Sequence, residues 1–311
     1  MLEYITRLAA FACAAAILMV GVVYASGAHA ESAEEAPEFS FGLVADVQYA
    51  DIPASGSRYY RESLDKLREC VETFNAMDLV CVMDVGDVID EGRDSFNDVM
   101  PIYNELDAPL HIALGNHDFP VSHEHTLGVL DMEESYYSFS VNDWRFIVLD
   151  GNDLSVLAWP EGSDRYEESA AMLAELEEAD APNARTWNGG LGAAQLAWLE
   201  ETLESAAEAD EKVMLFCHFP VYPAGAHNLW NGEELVSLIE QHPHVVAYFN
   251  GHNHAGNYAT REGVHYVTLH GMVETEDETA YAVVDVHGDR LEITGYGRQP
   301  DRVLEIPDSA R

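Results

Sequence analysis
Five short apolar runs in this chain each stop at a cluster of carboxylate, amide or imidazole side chains. Residues 39–47 end at Asp46-Val47-Gln48, and 79–85 at Gly86-Asp87. Residues 110–114 end at Gly115-Asn116-His117-Asp118, 213–217 at His218, and 245–249 at Gly251-His252-Asn253-His254. Each run has the length and the β-branched or aromatic content of a buried strand. Helical periodicity lies between several of them. It is carried over residues 58–76 by Tyr60, Leu64, Leu67, Val71 and Phe74, and it recurs over 95–106, 193–207 and 233–241. Strands alternating with helices predict parallel βαβ units, and such sheets gather ligands at the carboxyl ends of their strands. One cluster alone reads equally well as turn chemistry, because Asp, Asn and Gly are ordinary turn formers. Five clusters, each just past a strand, read as a single site.

The rest of the chain supplies a mixed α/β pattern. Residues 136–141 and 144–149 flank Asn142-Asp143, a hairpin signal. An acidic helix is expected over 165–179, a loop over 182–192, and short strands over 264–269, 281–286 and 291–295. No internal repeat and no clean break interrupts residues 39–311, which are taken as one domain.

The candidate ligands are Asp46, Gln48, Asp87, Asn116, His218, His252 and His254. Carboxylate, amide oxygen and imidazole without thiolate suit Mn, Fe, Zn or Ni-like ions in a reactive site rather than a structural zinc. A carboxylate can bridge two metals, and Asp87 is the central candidate. Two such ions would polarise a bridging water to hydroxide and hold phosphoryl oxygens. His117, beside Asn116, is free to protonate a leaving oxygen or to stabilise developing charge. Trp187, Trp230 and Tyr222 could stack a base or ribose, or simply pack their loops. His123 and His125 form an exposed-loop pair, and His227 and His270 are unassigned.

Charge narrows the partners. The 311 residues carry 56 acidic against 15 basic side chains, a net charge of -41, and Lys66 and Lys212 are the only lysines. That balance argues against a nucleic-acid groove or an anionic-membrane patch. It would repel an anionic substrate at long range, so bound cations must reverse the field locally. At the amino terminus, Arg7, an apolar run over 8–25 and Ala28-His29-Ala30 fit an export signal over 1–30, followed by an acidic linker over 31–38. The expected product is a periplasmic or secreted protein, with an uncleaved membrane anchor as the alternative. Of the four cysteines, Cys13 falls within the expected signal, which leaves Cys70, Cys81 and Cys217 as an odd set that implies no disulfide framework, with Cys81 and Cys217 in strand-like runs.

Asp46-x-Gln48, Gly86-Asp87-x-x-Asp90, Gly115-Asn116-His117-Asp118, His218 and Gly251-His252-Asn253-His254 resemble, in that order, the motifs of the calcineurin-like metallophosphoesterases. The resemblance implies a four-layer α-β-β-α sandwich of two mixed sheets. It also implies one metal on Asp46, Gln48, Asp87 and His254, and another on Asp87, Asn116, His218 and His252. Gln48 departs from the usual histidine. The neutral amide makes that position more oxygen-rich and favours manganese, with Fe, Zn or Ni as alternatives. Residues 41–51, 146–150, Asp153-Leu154-Ser155, Trp187-Asn188-Gly189-Gly190, Asn228-Leu229-Trp230-Asn231 and Val273-Glu274-Thr275 are similar to the branch of manganese-dependent ADP-ribose/CDP-alcohol diphosphatases. That likeness implies hydrolysis of a nucleotide-linked diphosphate by metal-bound hydroxide. A broader phosphomonoesterase or phosphodiesterase, or a metal-dependent binding protein without turnover, are the other readings. Two departures from the branch are a short loop after Asp51 and His270 in place of an acidic residue.

Overall fold
The computed structural model describes residues 36–310 apart from Val121. The expected export signal and residues 31–35 of the linker lie outside the described residues. In chain order the elements are β1 (Phe39–Val44), α1 (Ser63–Asn75), β2 (Val82–Asp84), α2 (Phe96–Tyr103), β3 (Leu110–Ile112), α3 (His123–Val129), β4 (Tyr137–Val141), β5 (Trp144–Val148), α4 (Asp164–Glu178), α5 (Ala193–Glu208), β6 (Lys212–Phe216), α6 (Gly232–Ile239), β7 (Val245–Asn250), β8 (Ala255–Arg261), β9 (Val264–His270), β10 (Ala280–Val286), β11 (Arg290–Gly297) and β12 (Arg302–Glu305).

Two six-stranded mixed sheets result, in the orders β12-β11-β10-β1-β2-β3 and β4-β5-β6-β7-β9-β8. The strands β1, β2 and β3 are parallel, as are β5, β6, β7 and β9, and the flanking strands run antiparallel. Side-chain alternation explains the layering. In β6, Met214 and Phe216 face the core between the sheets, whereas Val213 and Leu215 face the helices. Covered on both faces, such a strand reads as continuously apolar rather than alternating. The inner core is built around Phe146, Phe216 and Phe249, stacked at 5.4 and 5.5 Å, with Phe41 edge-on to Phe146 at 5.2 Å. Each such aromatic pair contributes about 0.5–1.5 kcal/mol beyond its burial.

Helices cover the outer faces. The α1 stripe Leu67, Cys70, Val71 and Phe74 has the spacing of one helical face and packs on the first sheet with Phe96 and Val99 of α2. Leu199 and Leu203 of α5 and Leu235 and Ile239 of α6 cover the second sheet. The architecture is therefore the four-layer α-β-β-α sandwich. Cys70, Cys81 and Cys217 are buried free thiols.

The expected helix over 58–76 begins only at Ser63. Upstream, Arg58 bridges both Ser55 and Glu274, and the Tyr59 N–H donates to Val273 O at 2.9 Å. Pairing with a distant loop overrides the helical periodicity there. The expected loop around His123 is instead α3. Strands β8 and β12 lacked a readable pattern because most of their side chains are not buried.

Candidate active site
All five clusters meet at the carboxyl ends of β1, β2, β3, β6 and β7. Four of the side chains are aimed by unusual backbone. Asp46, Gln48, Asp87 and His252 adopt positive φ angles of 52°, 43°, 59° and 65°. Non-glycine residues held there cost roughly 1–3 kcal/mol each and persist where the surroundings fix them. Asp118 supplies one such constraint. Its buried carboxylate accepts from Gly115 N at 2.8 Å, Asp87 N at 3.1 Å and Val88 N at 2.9 Å, which binds the β2 and β3 loops together. Gly115 must be glycine because a Cβ there would lie 2.1 Å from Asp87 Oδ1.

Electron-pair donors converge around Asp87. The Nδ1–H of His218 donates to Val85 O at 2.9 Å, so its Nε2 lone pair faces inward. The Nε2–H of His252 donates to Asn188 Oδ1 at 2.9 Å, so its Nδ1 faces inward. Asn188 is fixed as an acceptor there because its Nδ2 donates to Asn183 O and Ala226 O. The two inward nitrogens lie 3.1 Å apart, and His218 Nε2 is 3.2 Å from both Asn116 Oδ1 and Asp87 Oδ2. A second convergence lies beside it. The Nδ1–H of His254 donates to Glu274 Oε1 at 2.8 Å, which turns Nε2 toward Asp46 Oδ1 at 3.3 Å. Gln48 Nε2 donates to Asp87 Oδ2 at 2.9 Å, while its buried Oε1 has no hydrogen-bond partner.

Facing acceptors repel unless a cation lies between them, so this donor set fits divalent ions. Asp87, His218 and His252 alone bring three ligand atoms within 4.8 Å of one another. In the protein by itself, protons take part of that role. Burial would depress His218, but the charge and hydrogen bond of Asp87, with Asp46 and Val85 O, outweigh it and raise His218 to about 9. His254 is likewise raised to about 9, with Asp46 and Glu274 outweighing burial. His252 is pushed well down by burial and by His218. Burial opposes ionisation of Asp87, yet the surrounding histidines hold it well below the usual carboxylate range.

The chain matches the model of the calcineurin-like phosphoesterases over residues 39–256. The protein belongs to that family. The human manganese-dependent ADP-ribose/CDP-alcohol diphosphatase is 33% identical over 319 residues, covering 86% of this chain and 92% of its own. The protein of the same name from Arabidopsis thaliana is 32% identical over 312 residues, covering 88% and 99%. A dimetal phosphatase from Danio rerio superposes with a TM-score of 0.80 at 30% identity, covering 87% of this chain and 100% of its own. This calcineurin-like phosphoesterase is thus a metal-dependent phosphohydrolase.

Its site opens into a cavity of about 360 Å³ lined by Gln48, Arg58, Asp87, Asn116, His117, Trp187, His227, His252 and His254. His117 is tied at both ends. Its backbone N–H donates to Asp87 Oδ1 at 2.8 Å and its Nδ1 to Asp90 O at 2.9 Å, leaving Nε2 uncommitted at a cavity-lining side chain. Trp187 is at the rim, 42% exposed. Tyr222 and Trp230 do not line this cavity, so of the two roles open to them they take the packing one. Trp230 is buried with Leu154 and Leu173 and donates Nε1–H to Arg185 O at 3.1 Å. Tyr222 packs on Tyr266 under the Arg261 guanidinium and borders another cavity.

His123 is correspondingly structural. It is buried, stacked on Phe119 and Trp159, with Nε2 2.9 Å from Asp150 Oδ2. His123 and His125 are two apart on α3 and so point in different directions. His270 closes β9, its N–H donating to Gln299 Oε1 at 2.9 Å, and it does not line the cavity. Sequence reasoning gave no role to Arg58, Asp90, Asn188 or Glu274. Asn188 and Glu274 stood within branch-like segments, which was the available signal. His227, unassigned from the sequence, lines the cavity.

Proposed function
We propose that this enzyme hydrolyses the diphosphate of small nucleotide-linked compounds, ADP-ribose and CDP-alcohols among them, with manganese as its cation. The observation that carries the reading is identity of 30–33% running across 86–89% of the chain with proteins bearing that activity in their names. The oxygen-rich set created by Gln48 agrees with manganese.

In this reading Asp46, Gln48, Asp87 and His254 hold one ion, and Asp87, Asn116, His218 and His252 the other. When bound, the two cations supply Lewis acidity that neutralises phosphoryl charge and lowers the pKa of water. The protein residues do the rest. Asn188 and Glu274 fix the tautomers of His252 and His254, so that lone pairs rather than protons face inward. Asp90 O orients His117, whose Nε2 delivers a proton to the departing oxygen. Trp187 offers its ring to a base.

The test measures products from ADP-ribose, CDP-choline and p-nitrophenyl phosphate with purified manganese-loaded enzyme. Release of AMP with ribose 5-phosphate, and of CMP with phosphocholine, with little aryl ester cleavage, is the expected result. Preference for the aryl ester would replace this reading with a broad phosphoesterase. No turnover with any divalent ion would indicate a binding protein. We further propose export, supported by the apolar run over 8–25 and by Ala28-His29-Ala30. Amino-terminal sequencing of mature protein should begin at Glu31, and an intact Met1 in the cytoplasmic fraction would overturn it.

A further inference from the structure
Among the described residues four histidines line the active-site cavity, and three of them are committed. His117 is tied through Nδ1, while His252 and His254 each donate from one nitrogen and turn the other to the cation centre. His227 differs. Neither of its ring nitrogens has a hydrogen-bond partner among the described residues, and neither is sealed from the cavity. Its ring stands edge-on to that of His252, with centroids 5.4 Å apart and planes at 77°. The loop that carries it is braced. Asn188, whose Oδ1 accepts from His252, donates from Nδ2 to Ala226 O at 2.8 Å, so one amide positions His252 and the residue before His227 together. Asn228 closes the other side, its Nδ2 donating to Pro223 O at 3.0 Å and its N–H to Gly225 O at 3.3 Å. An imidazole is thus presented to the cavity on a fixed loop with its polar atoms unspent.

We propose that His227 is a specificity-determining residue that hydrogen-bonds a ribose hydroxyl in the nucleotide half of the substrate. The inference rests on the nucleotide-linked reading and extends it. A neutral imidazole carries one N–H donor and one lone pair. A hydroxyl, itself donor and acceptor, can meet either nitrogen, whereas an ionised phosphoryl oxygen can only accept. Position selects the same partner. His252 Nδ1 faces the cation centre, so the ring packed beside it stands one side chain out from where the phosphoryl group is held. Trp187, which offers its ring to the base, lines the same cavity. The ribose joins those two groups, and its hydroxyls are the neutral polar atoms between them. A role limited to packing on His252 would need the ring of His227 but not its nitrogens.

The experiment compares wild type, His227→Phe and His227→Gln on CDP-choline and on its 2′-deoxy and 3′-deoxy forms. Each protein is manganese-loaded and assayed at pH about 8, above the ordinary histidine range. His227→Phe keeps a ring against His252 and removes the nitrogens; His227→Gln keeps a donor and an acceptor and removes the ring. The readout is the kcat/KM ratio of CDP-choline to each deoxy form. Wild type should favour CDP-choline over at least one deoxy form by about 3–10-fold, the effect of one neutral hydrogen bond. That preference should disappear in His227→Phe and return in part in His227→Gln. No preference in wild type, or the same preference in His227→Phe, would overturn the assignment. So would a loss of bound manganese in His227→Phe that slows all three substrates alike, which would make the ring a support for His252. Failure of wild type to hydrolyse CDP-choline would instead sink the nucleotide-linked reading, and the role of His227 with it. Melting temperature, measured on each variant, separates misfolding from selectivity.

Discussion
At the scale of single residues, the site depends on partners that touch no substrate. Asn188 accepts from His252 Nε2–H and thereby presents Nδ1 to the centre. Asn188→Ala should weaken manganese binding by about 10–100-fold, whereas Asn188→Asp, still an acceptor, should recover most of it; competition titration measures both. Protons compete at the same atoms. His218 and His254 are raised to about 9, so at pH 7 each holds a proton that an incoming cation must displace. Apparent cation affinity should rise with pH up to about 9 and level off, with proton release visible as a buffer-dependent binding enthalpy. The stability consequence has the opposite sign. A folded pKa raised above 6.5 stabilises fully below 6.5, and that contribution is lost as pH rises through about 9. Chelator-treated protein should therefore melt progressively lower between pH 6.5 and 9, and the manganese-loaded protein should resist that decline.

Among elements, the decisive contacts are those that hold loops to strands. Lys66, on α1, is buried and donates from Nζ to Met272 O at 2.5 Å, Thr275 O at 3.0 Å and Glu274 O at 3.3 Å. It thus anchors the segment that carries Glu274 to His254. Lys66→Met leaves three carbonyls without their donor, and limited proteolysis near residues 272–275 should accelerate while the sheets stay protected. Packing of α1 on the first sheet sets a second test. A Cβ on Gly42 of β1 would come within 2.8 Å of the Phe74 ring, in a core with no room to spare. Gly42→Ala should cost about 1–3 kcal/mol by denaturant titration, and Phe74→Leu in the same chain should restore part of it.

For the whole molecule, charge governs encounter and long-range topology governs the site. A net charge of -41 repels an anionic substrate, so kcat/KM should rise as ionic strength goes from about 10 to 150 mM and the screening length falls from roughly 30 to 8 Å. A fall over that range would mean that the local field of Arg58 and the bound cations already dominates the approach. The sequence by itself determined the α/β class and the residues at the strand ends. Both are local properties: buried strands are continuous apolar runs, and each polar cluster follows its strand directly. It could not show that Asn188 orients His252, that Glu274 orients His254, or that Arg58 leaves its helix for the cavity wall. Nor could it remove Tyr222 and Trp230 from the cavity, since an aromatic side chain carries the same signature whether it packs a loop or meets a ligand. Those outcomes rest on pairings between residues 20 to more than 200 positions apart, and the order of strands in the two sheets decides which loops meet.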